Sequence, residues 1–355
     1  MQRVEESGEK RLSVWAWVGL AVILVHFMLV IIGDARYLLF FPLVLLPAWV
    51  SLALWYRHGR RHGLAQRKNH LGPIDSHIKL FTFVYFPGAV LVIIAELILT
   101  VVFVLVLFQR EISDYVNRMK ENQRDEPIPF DFQLNAKVFV FLFLNAFVVA
   151  GFCEEFLKLI VVNRCRTLGI TRANFTQVIA FGFVGALGFS MTENIGYSTA
   201  SRDKLGFGAV LGLILLRMLI ATPLHTLTGI LIGVSLSEEG LKRDRDSNSS
   251  YSLSFQTAAK ILAIPILIHG LFDFQAFVFA AVGFKQKWPP IMCLGDASLC
   301  LSIGDIVSGL LQILILVLFG WYVSHRYRKI QRGEGFQVLT EGSMRQVQPI
   351  NQSPV

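Results

Sequence analysis

Residues 90 to 108, VLVIIAELILTVVFVLVLF, are apolar on nearly every face that a helix could present. Such a segment cannot sit half in water; it belongs in a large core or in a bilayer. Similar runs recur along the 355-residue chain, separated by short polar stretches. About 20 residues rising about 1.5 Å each cross a hydrocarbon layer of about 30 Å. Lipid offers no partner to a backbone N–H or C=O, so runs of this length must be helices that satisfy their own backbone. The composition agrees, with 54% hydrophobic and 16% charged residues. The expected fold class is therefore all-α, a polytopic membrane helical bundle of about eight helices. They fall at residues 12–33, 36–56, 80–109, 138–162, 176–198, 206–236, 257–283 and 302–324. The first is too long for a signal-peptide core and no small-x-small cleavage pattern follows it, so it is expected to be retained.

Orientation follows from the Lys and Arg residues between the spans. With the N-terminus in the cytoplasm, the inner segments carry about twice as many as the outer ones, so both termini are expected inside. The formal charge of +8 is no nucleic-acid signature, because the basic residues flank apolar segments instead of forming one basic face. They read as topology determinants and lipid-headgroup contacts in a multi-pass protein of the plasma (inner) membrane. This topology puts Cys293 and Cys300 on the outer face, where a disulfide can close a small loop and two free thiols are the alternative. Cys153 and Cys165 read as packing residues near the reducing side. Residues 240–254 and 333–355 are polar and rich in Ser, Gln and Gly, as in a flexible inner loop and a disordered tail. The expected division is three helices and an outer loop in 1–137, a core carrying the chemistry in 138–283, an outer loop and last helix in 284–324, and a basic, then disordered, cytoplasmic tail in 325–355.

Charged groups inside the spans are the informative exceptions, each costing about 2.5–3.5 kcal/mol or more at mid-membrane. The fourth span has Glu154, Glu155 and Lys158, and the fifth has Glu193 and Asn194. The sixth has Arg217 and His225, and the seventh has His269 and Asp273. Glu154 with Lys158, and His269 with Asp273, are four apart and share a helix face. His225, Gly229 and Gly233 form a stripe on which a neighbouring helix can approach closely. Pro223 removes the donor for the Leu219 carbonyl, which favours a kink beside a hydrated cavity. His26 and Glu96 stand apart, and local hydrogen bonds between helices are expected for them. Counting residues from the inner ends of the spans leaves Glu193 higher than His225, so the fifth helix must sit lower or bend for the two to meet.

Two carboxylates, two imidazoles and an amine suit the activation of water for attack on a carbonyl. The same groups can hold a divalent metal such as zinc that activates its bound water. The spacing does not separate the two. Four consecutive helices also carry a resemblance. Glu154-Glu155-x-x-Lys158, Phe189-x-x-x-Glu193-Asn194, His225 with Gly233, and His269-x-x-x-Asp273 resemble the four motifs of the PrsW family of intramembrane proteases, which is related to the type II CAAX prenyl endopeptidases. The resemblance covers roughly residues 138–283.

It implies an intramembrane endopeptidase acting on membrane-spanning protein substrates, such as an anti-sigma factor type of regulator. Glu154 or Glu155 would be the water-activating base. His225 and Glu193 would assist or bind metal, and His269 with Asp273 would polarise the scissile carbonyl; His225, His269 and Glu193 are the implied metal ligands. Lys158 and Asn194 would support them. Helix geometry favours Glu154 as the partner of Lys158, whereas the related endopeptidases favour Glu154 as the base, so the doublet stays unassigned at this point. A proton-coupled transporter or channel using the same Glu and His relay, and a non-catalytic scaffold for transmembrane helices, are the rival readings.

Overall fold

The computed structural model describes residues 13–33, 74–121, 134–167, 175–201, 207–243, 253–286, 290–294 and 299–331. Seven candidate membrane spans lie among them. The expected second span at 36–56, most of the inner loop at 240–254 and the tail beyond 331 fall outside the described residues. The helices are α1 (Val14–Gly33), α2 (Ile74–Phe83), α3 (Ala89–Glu121), α4 (Ala136–Leu144), α5 (Cys153–Thr167), α6 (Phe175–Ser201), α7 (Phe207–Leu219), α8 (Ala221–Arg243), α9 (Phe255–Gln286) and α10 (Ile303–Gln331). A π-helical turn, Val84–Gly88, joins α2 to α3, and a longer one, Asn145–Phe152, joins α4 to α5. Between α9 and α10 a hairpin of β1 (Pro290–Leu294) and β2 (Leu299–Ser302) is added to the all-α bundle, and its register sets Cys293 opposite Cys300.

Several boundaries differ from the sequence reading for identifiable reasons. The third span is extended to Glu121 by a helix with a bend at Phe108, taking up part of the expected outer loop. The sixth span is two helices rather than one, interrupted at Ile220. Pro223 cannot donate to Leu219, and in the first turn of α8 its missing N–H breaks no bond within that helix. The last helix continues to Gln331, so the start of the tail assigned to 325–355 is helical. Polar caps mark the starts of helices: Asn135 Oδ1 accepts from Val138 N, Ser254 Oγ from Thr257 N, and Ser302 and Asp305 bond reciprocally at the head of α10.

The centre of the bundle is α6, buried along almost its whole length. Outer helices turn large apolar side chains outward, Leu105 and Val106 on α3 and Leu310 and Val317 on α10 among them. A bilayer is the solvent that suits such a surface, and the protein is an integral multi-pass membrane protein. Glycines set the closest approach. A Cβ on Gly182 of α6 would collide with the Gly229 carbonyl of α8, one on Gly229 with the Gly182 carbonyl, and one on Gly233 would fall 2.7 Å from Ile179 Cα. The stripe on α8 thus meets a matching one on α6, backbone against backbone. His26 Nδ1 lies 2.7 Å from the Tyr85 hydroxyl, the inter-helix bond expected for it.

Gly182→Val should lower stability by about 1–3 kcal/mol through overpacking. Gly196→Ala, where a Cβ meets nothing within 4 Å, should change it by less than about 1 kcal/mol. Thermal unfolding in detergent micelles checks both.

Candidate functional site

The π-helical segment Asn145–Phe152 delivers the glutamate doublet. A π turn holds more residues than an α turn and so rotates the helix that continues from it. Here α5 starts with Glu154 and Glu155 turned inward, 4% and 0% exposed. The same segment packs on α9 through small residues: Gly270 lies against the Phe147 ring, and a Cβ on Gly151 would reach the Ile266 carbonyl at 3.3 Å. This contact brings His269 beside the doublet. From the other side, α6 carries Glu193 and Asn194, and α8 carries His225.

The depth mismatch between Glu193 and His225 is resolved without lowering α6. Helices α6 and α8 run antiparallel and are level at Gly182 and Gly229, so at about 1.5 Å per residue Glu193 starts roughly 10 Å beyond His225. Side chains tilt toward the N-terminus of their own helix, and on antiparallel helices these two tilt toward each other. Glu193 Oε2 and His225 Nε2 end 2.7 Å apart.

Lys158 pairs with Glu155, not with Glu154 as helix geometry favoured. Its ammonium donates to Glu155 Oε1 at 2.6 Å and to Thr228 Oγ1 at 3.2 Å, and lies 3.1 Å from His225 Nδ1. Three partners complete its donors. The three-residue separation wins because Glu155 also meets His269 Nδ1 at 2.7 Å and Thr228 at 3.1 Å. Glu154 is left differently. Its Oε2 is buried without a hydrogen-bond partner among the described residues, 3.5 Å from His225 Nδ1 and 3.6 Å from His269 Nε2. Glu155 Oε2 is also without one, but Glu154 lines the adjoining cavity and Glu155 does not.

The remaining groups form a second tier. Arg217 Nη2 holds Glu193 Oε1 at 2.7 Å, its Nε donates to Asn194 Oδ1 at 2.9 Å, and its guanidinium stacks 3.8 Å from the centre of the Tyr197 ring. Asn194 donates to Thr222, which also bonds Ser190. Asp273 Oδ2 lies 3.4 Å from His269 Nε2. All six residues singled out for chemistry thus lie in one connected cluster. The sequence reading assigned no role to Arg217, Thr222 or Thr228. Arg217 was legible as a buried charge on the face of His225, whereas the two threonines leave no signal, since threonine is ordinary in a membrane helix.

Glu96 departs from its expectation. Instead of a local bond between helices, it lines the same cavity, a space of about 880 Å³ bounded by Glu154, Glu193, Arg217, His225, His269 and Asp273. The donor atoms of Glu154, His225 and His269 lie within 4.8 Å of one another. Two imidazoles and a carboxylate are the ligands of many catalytic zinc sites, and the partnerless Glu154 oxygen is the kind of atom a cation would satisfy. The residues present therefore fit a divalent metal. The carboxylate in that group is Glu154; Glu193, also expected as a ligand, has its oxygens toward Arg217 and His225.

A family described as PrsW family intramembrane metalloprotease matches residues 87–294 of this chain. The chain is also similar to Protease PrsW of Clostridioides difficile (strain 630), 29% identical over 152 residues, which is 42% of this chain and 56% of that protein. It thus spans a little over half the length of that curated relative. No solved structure matches.

The pairing makes opposite demands on two neighbours. Lys158→Met should destabilise the protein by about 3–5 kcal/mol, because Glu155 is left as a buried charge without its cation. Glu154→Gln, which breaks no pair of this kind, should change stability by less than about 1 kcal/mol. Thermal unfolding of both variants tests this, and a reversed order would contradict the pairing.

Proposed function

The chain belongs to the PrsW family of intramembrane metalloproteases, and from that premise we propose that it is an endopeptidase cleaving membrane-spanning protein substrates, such as a regulator of the anti-sigma factor type, in the plasma (inner) membrane. The observation that carries the reading is the partnerless Glu154 carboxylate facing a cavity between two imidazoles in a membrane-buried bundle. Four helices converge on that point. Packing alone gives no reason to leave an acceptor there without a donor.

In hydrolysis the oxygen of water bonds to the scissile carbonyl carbon, the C–N bond breaks, and a proton passes from water to the leaving amine. Glu154 is the group placed to take and return that proton, since Glu155 is engaged with Lys158, Thr228 and His269. Lys158 faces His225 Nδ1 and Glu193 faces Nε2, which favours the ring with its proton on Nε2. Arg217 keeps Glu193 in place for that contact. Glu155 orients His269 through Nδ1, leaving Nε2 toward Glu154 and Asp273, where the doubly protonated ring would have an N–H to donate to the substrate carbonyl. A divalent metal held by Glu154, His225 and His269 would supply Lewis acidity and an activated water, and would need the His225 lone pair that otherwise faces the Lys158 ammonium. Glu154 would then serve as ligand rather than base.

Purified protein in detergent, incubated with single-span substrates, should cut them. Glu154→Gln and His225→Ala should each reduce kcat by about 100-fold or more. Undiminished cleavage in both would overturn the reading. Treatment with a chelator separates the two mechanisms: loss of activity that returns with zinc identifies a metal, and unchanged activity identifies Glu154 as base.

A further inference from the structure

Glu96 belongs to none of the motifs and sits on α3, a helix that contributes no other charged group to the cavity. Its Oε1 is sealed from solvent and has no hydrogen-bond partner among the described residues. One turn on, Thr100 donates to Asn145 Oδ1 at 3.2 Å, and both residues line the same cavity. Glu96, Thr100 and Asn145 make a polar strip along a wall otherwise formed by Ala89, Ile93, Leu97 and Val149.

The charges around the cavity do not balance. Among the described residues four carboxylates line it, Glu96, Glu154, Glu193 and Asp273, against the single guanidinium of Arg217. Arg217 is bound to Glu193, Asp273 lies beside His269, and Glu154 lies beside both imidazoles. Glu96 has no such companion among the described residues. A carboxylate held this way within a membrane is costly unless something cationic or strongly donating reaches it.

We propose that Glu96 is a specificity subsite for a cationic side chain, Lys or Arg, carried by the membrane-spanning segment of the substrate near the bond to be cut. The proposal rests on the protease reading and names the class of substrate that reading leaves open. An isolated ammonium in a substrate helix and an isolated carboxylate in the cavity wall are each unfavourable in lipid. Their meeting removes both penalties, and most membrane helices, lacking such a charge, forgo that gain. Thr100 and Asn145 extend the strip and offer further polar contacts to substrate backbone that loses its helical bonds before cleavage.

The test is binding to the full chain carrying Glu154→Gln to suppress turnover, in detergent. The probes are fluorescent single-span peptides that differ only in Lys or its uncharged counterpart norleucine, scanned one residue at a time across the span. At one position Lys should bind about tenfold tighter than norleucine. Glu96→Gln should remove that advantage, Glu96→Asp should retain it in part, and Glu96→Lys should transfer it to a peptide with Glu at that position. Equal affinity at every position, or an advantage that survives Glu96→Gln, overturns the subsite. Peptides bound with the Lys preference but never cut by the unsubstituted chain would count against the protease reading alone. Cleavage with no preference for Lys would count against the subsite alone.

Discussion

The ammonium of Lys158 is the interaction around which this bundle is organised. A cation at that depth in a membrane protein persists only if all of its donors find acceptors, and the three that do so come from different places: Glu155 on its own helix, and His225 and Thr228 on α8. Glu155 in turn receives His269 from α9. Three helices are thereby tied to one charge. Moving any of them strands a buried ion, so the positions of His225 and His269 follow from the needs of Lys158 as much as from the packing around them.

Close approach makes that network attainable. Gly182 against Gly229, and Gly233 against Ile179, let α6 and α8 touch backbone to backbone, and Gly151 and Gly270 do the same for the π-helical segment and α9. Two irregularities complete the geometry. The break at Ile220 ends α7 and starts α8 anew between Arg217 and His225, and the π-helical segment sets the phase of Glu154 and Glu155. Both occur where a membrane helix can tolerate lost backbone bonds, beside a polar cavity and neighbouring helices.

Much of this was legible in the linear chain. Long apolar runs announce spanning helices because lipid excludes every other backbone arrangement of that length, and seven of the eight expected runs coincide with candidate spans; the eighth lies outside the described residues. The six residues chosen for chemistry stood out because charge in such runs is expensive, and they do converge. The division of labour between the two glutamates was not legible. Spacing favoured Lys158 with Glu154, four residues away, whereas the pair that forms is the one also bonded by Thr228 and His269, residues 73 and 114 positions distant from Glu155. The place of Glu96 was not legible for a related reason: isolation along the chain says nothing about which cavity a helix face will border.

The sequence by itself determined the solvent, the class of fold and the list of charged groups that require partners, since these depend on transfer free energies that each residue carries wherever it sits. The tertiary structure decided the pairing: Glu155 with Lys158, Glu193 with Arg217 and His225, and Glu154 and Glu96 left facing the cavity. Pairing depends on distances of a few ångströms between helices far apart in the chain. Those distances are set by glycine contacts, by the phase of a π turn and by the opposed tilt of side chains on antiparallel helices, none of which a local spacing rule contains.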